Sequence, residues 1–215
     1  ANVGEWSKNV SRINSDAKIY SFEPIKSTFE NLKSNLDTFS NISTINLALS
    51  SEEGVFEIYN YGENSGTNSF HNIKNNKSNS YKIEKINTTT IDLFTTENNI
   101  DNIDFIKCDT EGNDYNVILG CSDMFNKEKI GLMQFEYNWR WLIANSNLQR
   151  VFDSFKKSNY FIGKACKNEI QIIESWNQEL DKFYEANYII IHKNYLKFFK
   201  HNFYFFNHRN ILVLK

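Results

Sequence analysis

Two carboxylates stand at the end of an apolar run, where Ile103-Asp104-Phe105-Ile106-Lys107-Cys108 leads into Asp109-Thr110-Glu111-Gly112. An apolar strand that delivers acids to its carboxyl end, with a glycine opening the next helix, is how open α/β sheets build ligand sites. Acids placed there can orient a polar ligand or take a proton from a hydroxyl. A third acid, Glu23, closes the short run Lys18-Ile19-Tyr20-Ser21-Phe22 and is followed by Pro24, a residue suited to the first position of a helix. In nucleoside-binding folds an acid at such a strand end accepts hydrogen bonds from both ribose hydroxyls, because a carboxylate has two oxygens to offer. Ala1-Asn2-Val3-Gly4 precedes Glu23 by about twenty residues, the spacing expected between a nucleotide-binding turn and its ribose acid. Gly4 has no Cβ, so backbone there can approach a ligand closely.

The elements that must position these groups alternate. A helix follows Gly4, a strand runs to Glu23, a helix runs from Pro24 to about Leu36, and a strand covers Ser43 to Leu47. Alternation of this kind specifies parallel strands with crossover helices. A further strand at Val55–Asn60 leads into Tyr61–Ser80, a long stretch rich in Asn, Ser and Gly that reads as a loop. Beyond it come a strand at Tyr81–Asn87, a short helix from Asp92, the acid-bearing strand, a helix at Asn113–Leu119, a strand at Gly131–Tyr137 and a helix near Leu148–Lys157. Strands at Tyr160–Cys166, Glu169–Glu174 and Asn187–His192 suit an antiparallel edge. No internal repeat is visible.

The chain has 215 residues, 40% of them hydrophobic, enough to bury the core of one α/β domain. A net charge of −2 with no basic block argues against a nucleic-acid partner, since neutralising phosphates takes clustered Lys and Arg. Cys108, Cys121 and Cys166 have neither paired nor metal-ligand spacing, which predicts small buried residues in a reducing compartment. No apolar run reaches the roughly 20 residues that span a bilayer, and no signal peptide is recognisable, so a cytoplasmic location is expected.

Taken in order, Ala1-Asn2-Val3-Gly4, Phe22-Glu23-Pro24, Asn46-Leu47-Ala48-Leu49-Ser50, Thr90-Ile91-Asp92, Lys107-Cys108-Asp109-Thr110-Glu111-Gly112 and Phe135-Glu136-Tyr137-Asn138 resemble the FkbM family of S-adenosylmethionine-dependent methyltransferases. The resemblance spans residues 1 to about 140. It implies a Rossmann-like class I fold: a mostly parallel central sheet, helices on both faces, and an antiparallel C-terminal edge. The methyltransferase domain is expected over 1–194, with an aromatic and basic tail over 195–215. In the family a strand bearing an Asp and a first Gly precedes the glycine turn, and its absence before Ala1 reads as an N-terminal truncation.

The resemblance also implies roles. S-adenosylmethionine would be held by Asn2, Val3, Gly4, Glu23, Pro24, Ala48, Leu49 and Asp109. Asp109 is the first choice for a catalytic group facing methyl and acceptor, Glu111 the second, with Glu136 and Asn138 as an acceptor-side wall. His71, in the long loop, could serve as a general base given its near-neutral pKa. Other readings stay open: Asp109 as a helix cap, Glu111 as a partner of the helix dipole, Lys107 as an ion-pair partner, His71 as merely exposed. Asp109, Glu111 and Asp114 could form an oxygen-ligand metal site, but the resemblance requires no metal and none is assigned. Tyr137, Trp139 and Trp141 could stack on sugar rings or cover the sheet.

The expected activity is O-methylation of a hydroxyl on a sugar, glycan or natural-product acceptor. A nicotinamide-dependent oxidoreductase would show the full Gly-x-Gly-x-x-Gly fingerprint, which Gly4 does not open. A non-catalytic nucleoside-binding or scaffold module on the same fold is the alternative. In the tail, Leu196, Phe199, Phe203 and Phe206 recur at helical spacing with Lys197, Lys200 and His201 between them, a stripe for a peripheral membrane surface, a partner, or the chain's own domain.

Overall fold

The computed structural model describes residues 1–62, 65, 68–72 and 81–215. Most of the loop read over Tyr61–Ser80 therefore lies outside the described residues. The chain forms two compact units, Ala1–Thr90 and Ile91–Lys215.

In the first unit, α1 (Glu5–Ile13), β1 (Ile19–Phe22), α2 (Lys26–Leu36) and β2 (Ile42–Ile45) follow the predicted alternation. β1 and β2 pair in parallel, Ile19 with Ile42 through Phe22 with Ile45. Small residues bring α1 close to β1: Ser7 and Ser11, one turn apart, are buried, and the Ser7 and Ser21 hydroxyls lie 2.7 Å apart. α2 buries Thr28, Leu32 and Leu36 at a four-residue repeat, the period that keeps one helical face inward. Ala48–Leu49 is a separate strand, β3, in a three-stranded sheet with β4 (Gly54–Asn60) and β5 (Lys82–Thr89), ordered β3-β5-β4. Ile25, Ala48, Ile58 and Ile86 form a core cluster there, with Phe70 packed against it.

The second unit holds α3 (Ile91–Glu97), β6 (Ile103–Cys108), α4 (Asp114–Leu119), α5 (Ser122–Asn126), β7 (Ile130–Tyr137), α6 (Arg140–Ile143), α7 (Leu148–Phe155), β8 (Tyr160–Ala165), β9 (Ile170–Ile173), β10 (Ala186–His192), β11 (His201–Phe206) and β12 (Leu212–Leu214), with 3-10 turns at Gln178–Leu180 and Lys193–Phe198. Its strands make one seven-stranded sheet, ordered β12-β11-β9-β8-β10-β7-β6. On one face Phe125, Phe155 and Tyr160 lock α5, α7 and β8 together edge-to-face, with centroids 4.8–5.7 Å apart. On the other, Leu132, Ile170, Ile172, Ile189 and Ile191 pack with Leu196 from the second 3-10 turn.

Two features correct the sequence reading. Among the described residues the strands fall into three sheets rather than one mostly parallel sheet, and within the seven-stranded one only β6–β7 and β9–β11 are parallel. The reason is the connections. Helices carry β6 to β7 and β7 to β8, but β10 enters between β7 and β8 antiparallel to both, and β8 turns straight back into β9, giving the antiparallel C-terminal edge. The tail, read at helical spacing over Tyr195–Phe206, is instead a 3-10 turn followed by a strand: β11 pairs in parallel with β9 and antiparallel with β12. Among the described residues no helix is long and apolar enough to cross a membrane.

Candidate functional site

In the first unit the glycine turn and the acid at the end of β1 meet. Asn2 and Gly4 both have positive φ, 51° and 90°, and the curl they make aims the Asn2 N–H at Glu23 Oε2, 2.8 Å away. The amino nitrogen of Ala1 lies 3.3 Å from the same oxygen. Oε1 accepts from the Ile25 N–H at 3.1 Å, and the Asn46 amide steadies the strand end by donating to the carbonyls of Glu23 and Pro24. Gly4 is required twice over, since its φ suits glycine and a Cβ would stand 2.8 Å from both Leu32 Cδ1 and Leu36 Cδ1 of α2. Glu23 is 7% exposed. A carboxylate oxygen can accept two hydrogen bonds, so Oε2 is filled by Asn2 and Ala1 while Oε1 keeps one acceptor position beside the Ile25 N–H. Ala48 contributes its side chain to the core cluster.

In the second unit the ends of the parallel pair β6 and β7 carry the acids. Glu111 (φ 54°) and Gly112 (φ 102°) form a left-handed turn after β6, and Gly112 packs on Arg140, whose Cβ would lie 3.0 Å from an added methyl. The Arg140 guanidinium, from the start of α6, pairs with Glu111 Oε2 at 2.8 Å, both side chains being about five-sixths buried. Burial lifts the Glu111 carboxyl to about 7 against the pull of Arg140, and the nearby carboxylates of Glu136, Asp109 and Asp114 push the same way as burial. Asp109 instead stands half exposed and paired to Lys107 Nζ at 2.8 Å, the ion pair anticipated for that lysine. Glu136, at the end of β7, accepts from Asn138 Nδ2 at 2.9 Å, and burial raises its pKa. Asp114 is 1% exposed and lifted to about 6 by burial, with Oδ2 accepting from the Gly112 N–H at 3.4 Å. A group that titrates near 7 is ready to exchange a proton at neutral pH.

Asp109, Glu111, Glu136 and Asn138 thus share one sheet end, and Asn2, Gly4 and Glu23 share another. His71 lies in the first unit, after β4, half-buried, its Nε2 without a hydrogen-bond partner among the described residues; burial lowers its pKa and favours the neutral ring. Tyr137 and Trp141 are core residues in edge-to-face contact at 5.2 Å, while Trp139 is exposed with Arg140 over its ring. Cys108 and Cys121 are buried as expected; Cys166, on the turn between β8 and β9, is exposed instead. Among the described residues no cluster of His, Cys, Asp and Glu is arranged to hold a metal ion.

The residue that sequence reasoning missed is Arg140. Its signal was present in outline, a cation just past the end of a strand predicted to lie beside the acid-bearing one, but only the β6–β7 register shows that it lands on Glu111.

The model of the methyltransferase FkbM domain matches residues 1–162. Among solved structures, that of methyltransferase FkbM from Methylobacillus flagellatus superposes with a TM-score of 0.54 at 14% identity, covering 88% of this chain and 41% of that one. This chain therefore spans about two-fifths of that protein's length. No curated protein matches by sequence. The glycine turn, the acid-ended strands and the matched residues assign the chain to a family: it belongs to the FkbM methyltransferases.

Proposed function

We propose that the chain transfers a methyl group from S-adenosylmethionine to a hydroxyl of a sugar, glycan or natural-product acceptor, with Glu111 taking the hydroxyl proton. The observation that carries this reading is the Glu111–Arg140 pair on a chain of a methyltransferase family: a largely buried carboxyl poised at about 7 and fixed by a guanidinium. The cofactor, when bound, supplies a sulfonium methyl that a deprotonated oxygen can attack. Glu23 and the Asn2–Gly4 turn would hold its nucleoside end. Glu111 is preferred to Asp109 as the base because burial lifts its carboxyl to about 7, whereas Asp109 stands half exposed. Glu136 and Asn138 would orient the acceptor through their remaining hydrogen-bond capacity.

One observation favours a second reading, a nucleoside-binding or scaffold module without turnover: both Glu23 oxygens already accept main-chain N–H groups, as in a purely structural strand cap. Calorimetric titration of S-adenosylhomocysteine separates these. Glu23→Ala is expected to weaken binding by about 10- to 100-fold, the loss of hydrogen bonds to a charged group, with the circular dichroism spectrum unchanged. Undiminished binding would remove Glu23 from the site. Binding by the wild type, with no S-adenosylhomocysteine formed over a panel of hydroxylated acceptors, would select the scaffold reading.

A further inference from the structure

The methyl-transfer reading leaves one part of the molecule unused, the last 23 residues. Residues 193–215 contain Lys193, Lys197, Lys200, Arg209 and Lys215 and no Asp or Glu. They thus carry five of the chain's 24 basic residues and none of its 26 acidic ones, which leaves the preceding part at a net −7. A charge asymmetry of this kind marks a surface for an anionic partner.

The structure shows what stands beside those charges. The 3-10 turn and the β11–β12 hairpin at the sheet edge expose large apolar side chains, Phe198 at 67%, Leu214 at 59%, Ile211 at 53%, Phe199 at 43% and Phe205 at 38%. Phe203 continues the Ile172 row, and its ring meets Phe161 edge-to-face at 5.5 Å, so the hairpin is anchored while its outer side chains stay in water. The acids that reach the hairpin are satisfied by it: Glu174 pairs with Lys215, and Glu169 accepts from Asn202 and Tyr204. Among the described residues Lys197 and Arg209 take part in no ion pair, and Lys197 Nζ instead sits 5.0 Å from the Phe198 ring centroid. Apolar side chains interleaved with unneutralised cations match the boundary of an anionic bilayer, where the first enter the acyl layer and the second meet headgroup phosphates and carboxylates. A nucleic-acid backbone would reward the cations and leave Ile211 and Leu214 in water.

We infer that the 3-10 turn and β11–β12 hairpin form a peripheral membrane-binding surface that docks on bilayers containing anionic lipid. The inference is independent of methyl transfer, so its test needs neither cofactor nor acceptor. The full chain is sedimented with vesicles of phosphatidylcholine alone or mixed with phosphatidylserine, at low and high salt. Binding to the mixed vesicles only, weakened by salt, is the expected result. Lys197→Ala with Lys200→Ala should weaken it by about 30-fold, from a contribution of about fivefold per surface cation. Phe198→Ser should weaken vesicle binding and leave retention on immobilised heparin unchanged. All three positions are exposed, and an unchanged thermal melt confirms that the variants fold. No binding to mixed vesicles, equal binding to neutral ones, or heparin binding in the absence of vesicle binding overturns the membrane surface, the last outcome in favour of a soluble polyanion.

Discussion

Glu111 is held in a backbone conformation that non-glycine residues rarely adopt, at φ 54°, and that cost places its carboxylate against Arg140 rather than in water. Two opposed effects set its proton affinity: burial raises it, and the guanidinium lowers it. Replacing Arg140 by Met removes the lowering effect and keeps most of the side-chain volume packed on Gly112. The Glu111 midpoint should then move above its present value of about 7, read by NMR titration of 13C-labelled carboxyl groups. A midpoint that stays or falls would show that Arg140 does not tune the group. The same shift has a consequence for stability. The folded-state value lies above the ordinary 4.5, so the folded chain binds the extra proton between about 4.5 and 7; the stabilisation is complete below that window and is lost as pH rises through it. Glu111→Gln should accordingly gain in melting temperature relative to wild type on the alkaline side of 7. At this scale the sequence made the acids legible because an apolar run ended in them. It hid Arg140, because partnership across two strands depends on a register that no local pattern states.

Among the elements, the strands were legible wherever aromatic and β-branched residues clustered, and β4 through β10 lie within two residues of their predicted bounds. The tail was misread for a physical reason. Leu196, Phe199, Phe203 and Phe206 satisfy helical spacing, but His201-Asn202-Phe203-Tyr204-Phe205-Phe206 is also a run of strand-favouring aromatics, and the free edge of β9 decides between the two by pairing with it. No local signal foretold Asp181 either. Its carboxylate accepts from Tyr137 Oη at 2.8 Å, Trp176 Nε1 at 2.6 Å, and the N–H groups of Leu148 and Gln149 at 2.7 and 3.3 Å. It thereby caps the first turn of α7 and ties it to the end of β7, next to Glu136. Asp181→Ala removes a helix cap and strands a buried tyrosine hydroxyl, a loss of about 3 kcal/mol in unfolding free energy. Urea denaturation gives the number. A change below about 0.5 kcal/mol would mean that water replaces these bonds without cost.

At the scale of the whole chain, the αβ alternation led to the right class, a mixed α/β fold, and to the wrong sheet. Parallel pairing follows from crossover connections, and the sequence shows where helices lie without showing which strands they join. The two units also differ in how much core each contains. The second has a seven-stranded sheet with a buried aliphatic cluster on one face and an aromatic one, including Phe125, Phe135, Trp141, Phe155 and Tyr160, on the other. Among its described residues the first has a two-stranded and a three-stranded sheet, with a cluster of four buried residues beneath the latter. Sheets of two or three short strands are marginal alone, and stability grows with the fraction of surface that a domain can bury. Residues 91–215 produced alone should therefore unfold cooperatively and keep the near-ultraviolet circular dichroism of the packed Trp141, whereas residues 1–90 alone should show no cooperative transition. The outcome also bears on function. The acids Asp109, Glu111 and Glu136 would keep their geometry in the isolated second unit, so Glu111 should titrate there near the value it has in the whole chain. A large drop toward 4.5 would show that the isolated unit does not hold the Glu111 geometry.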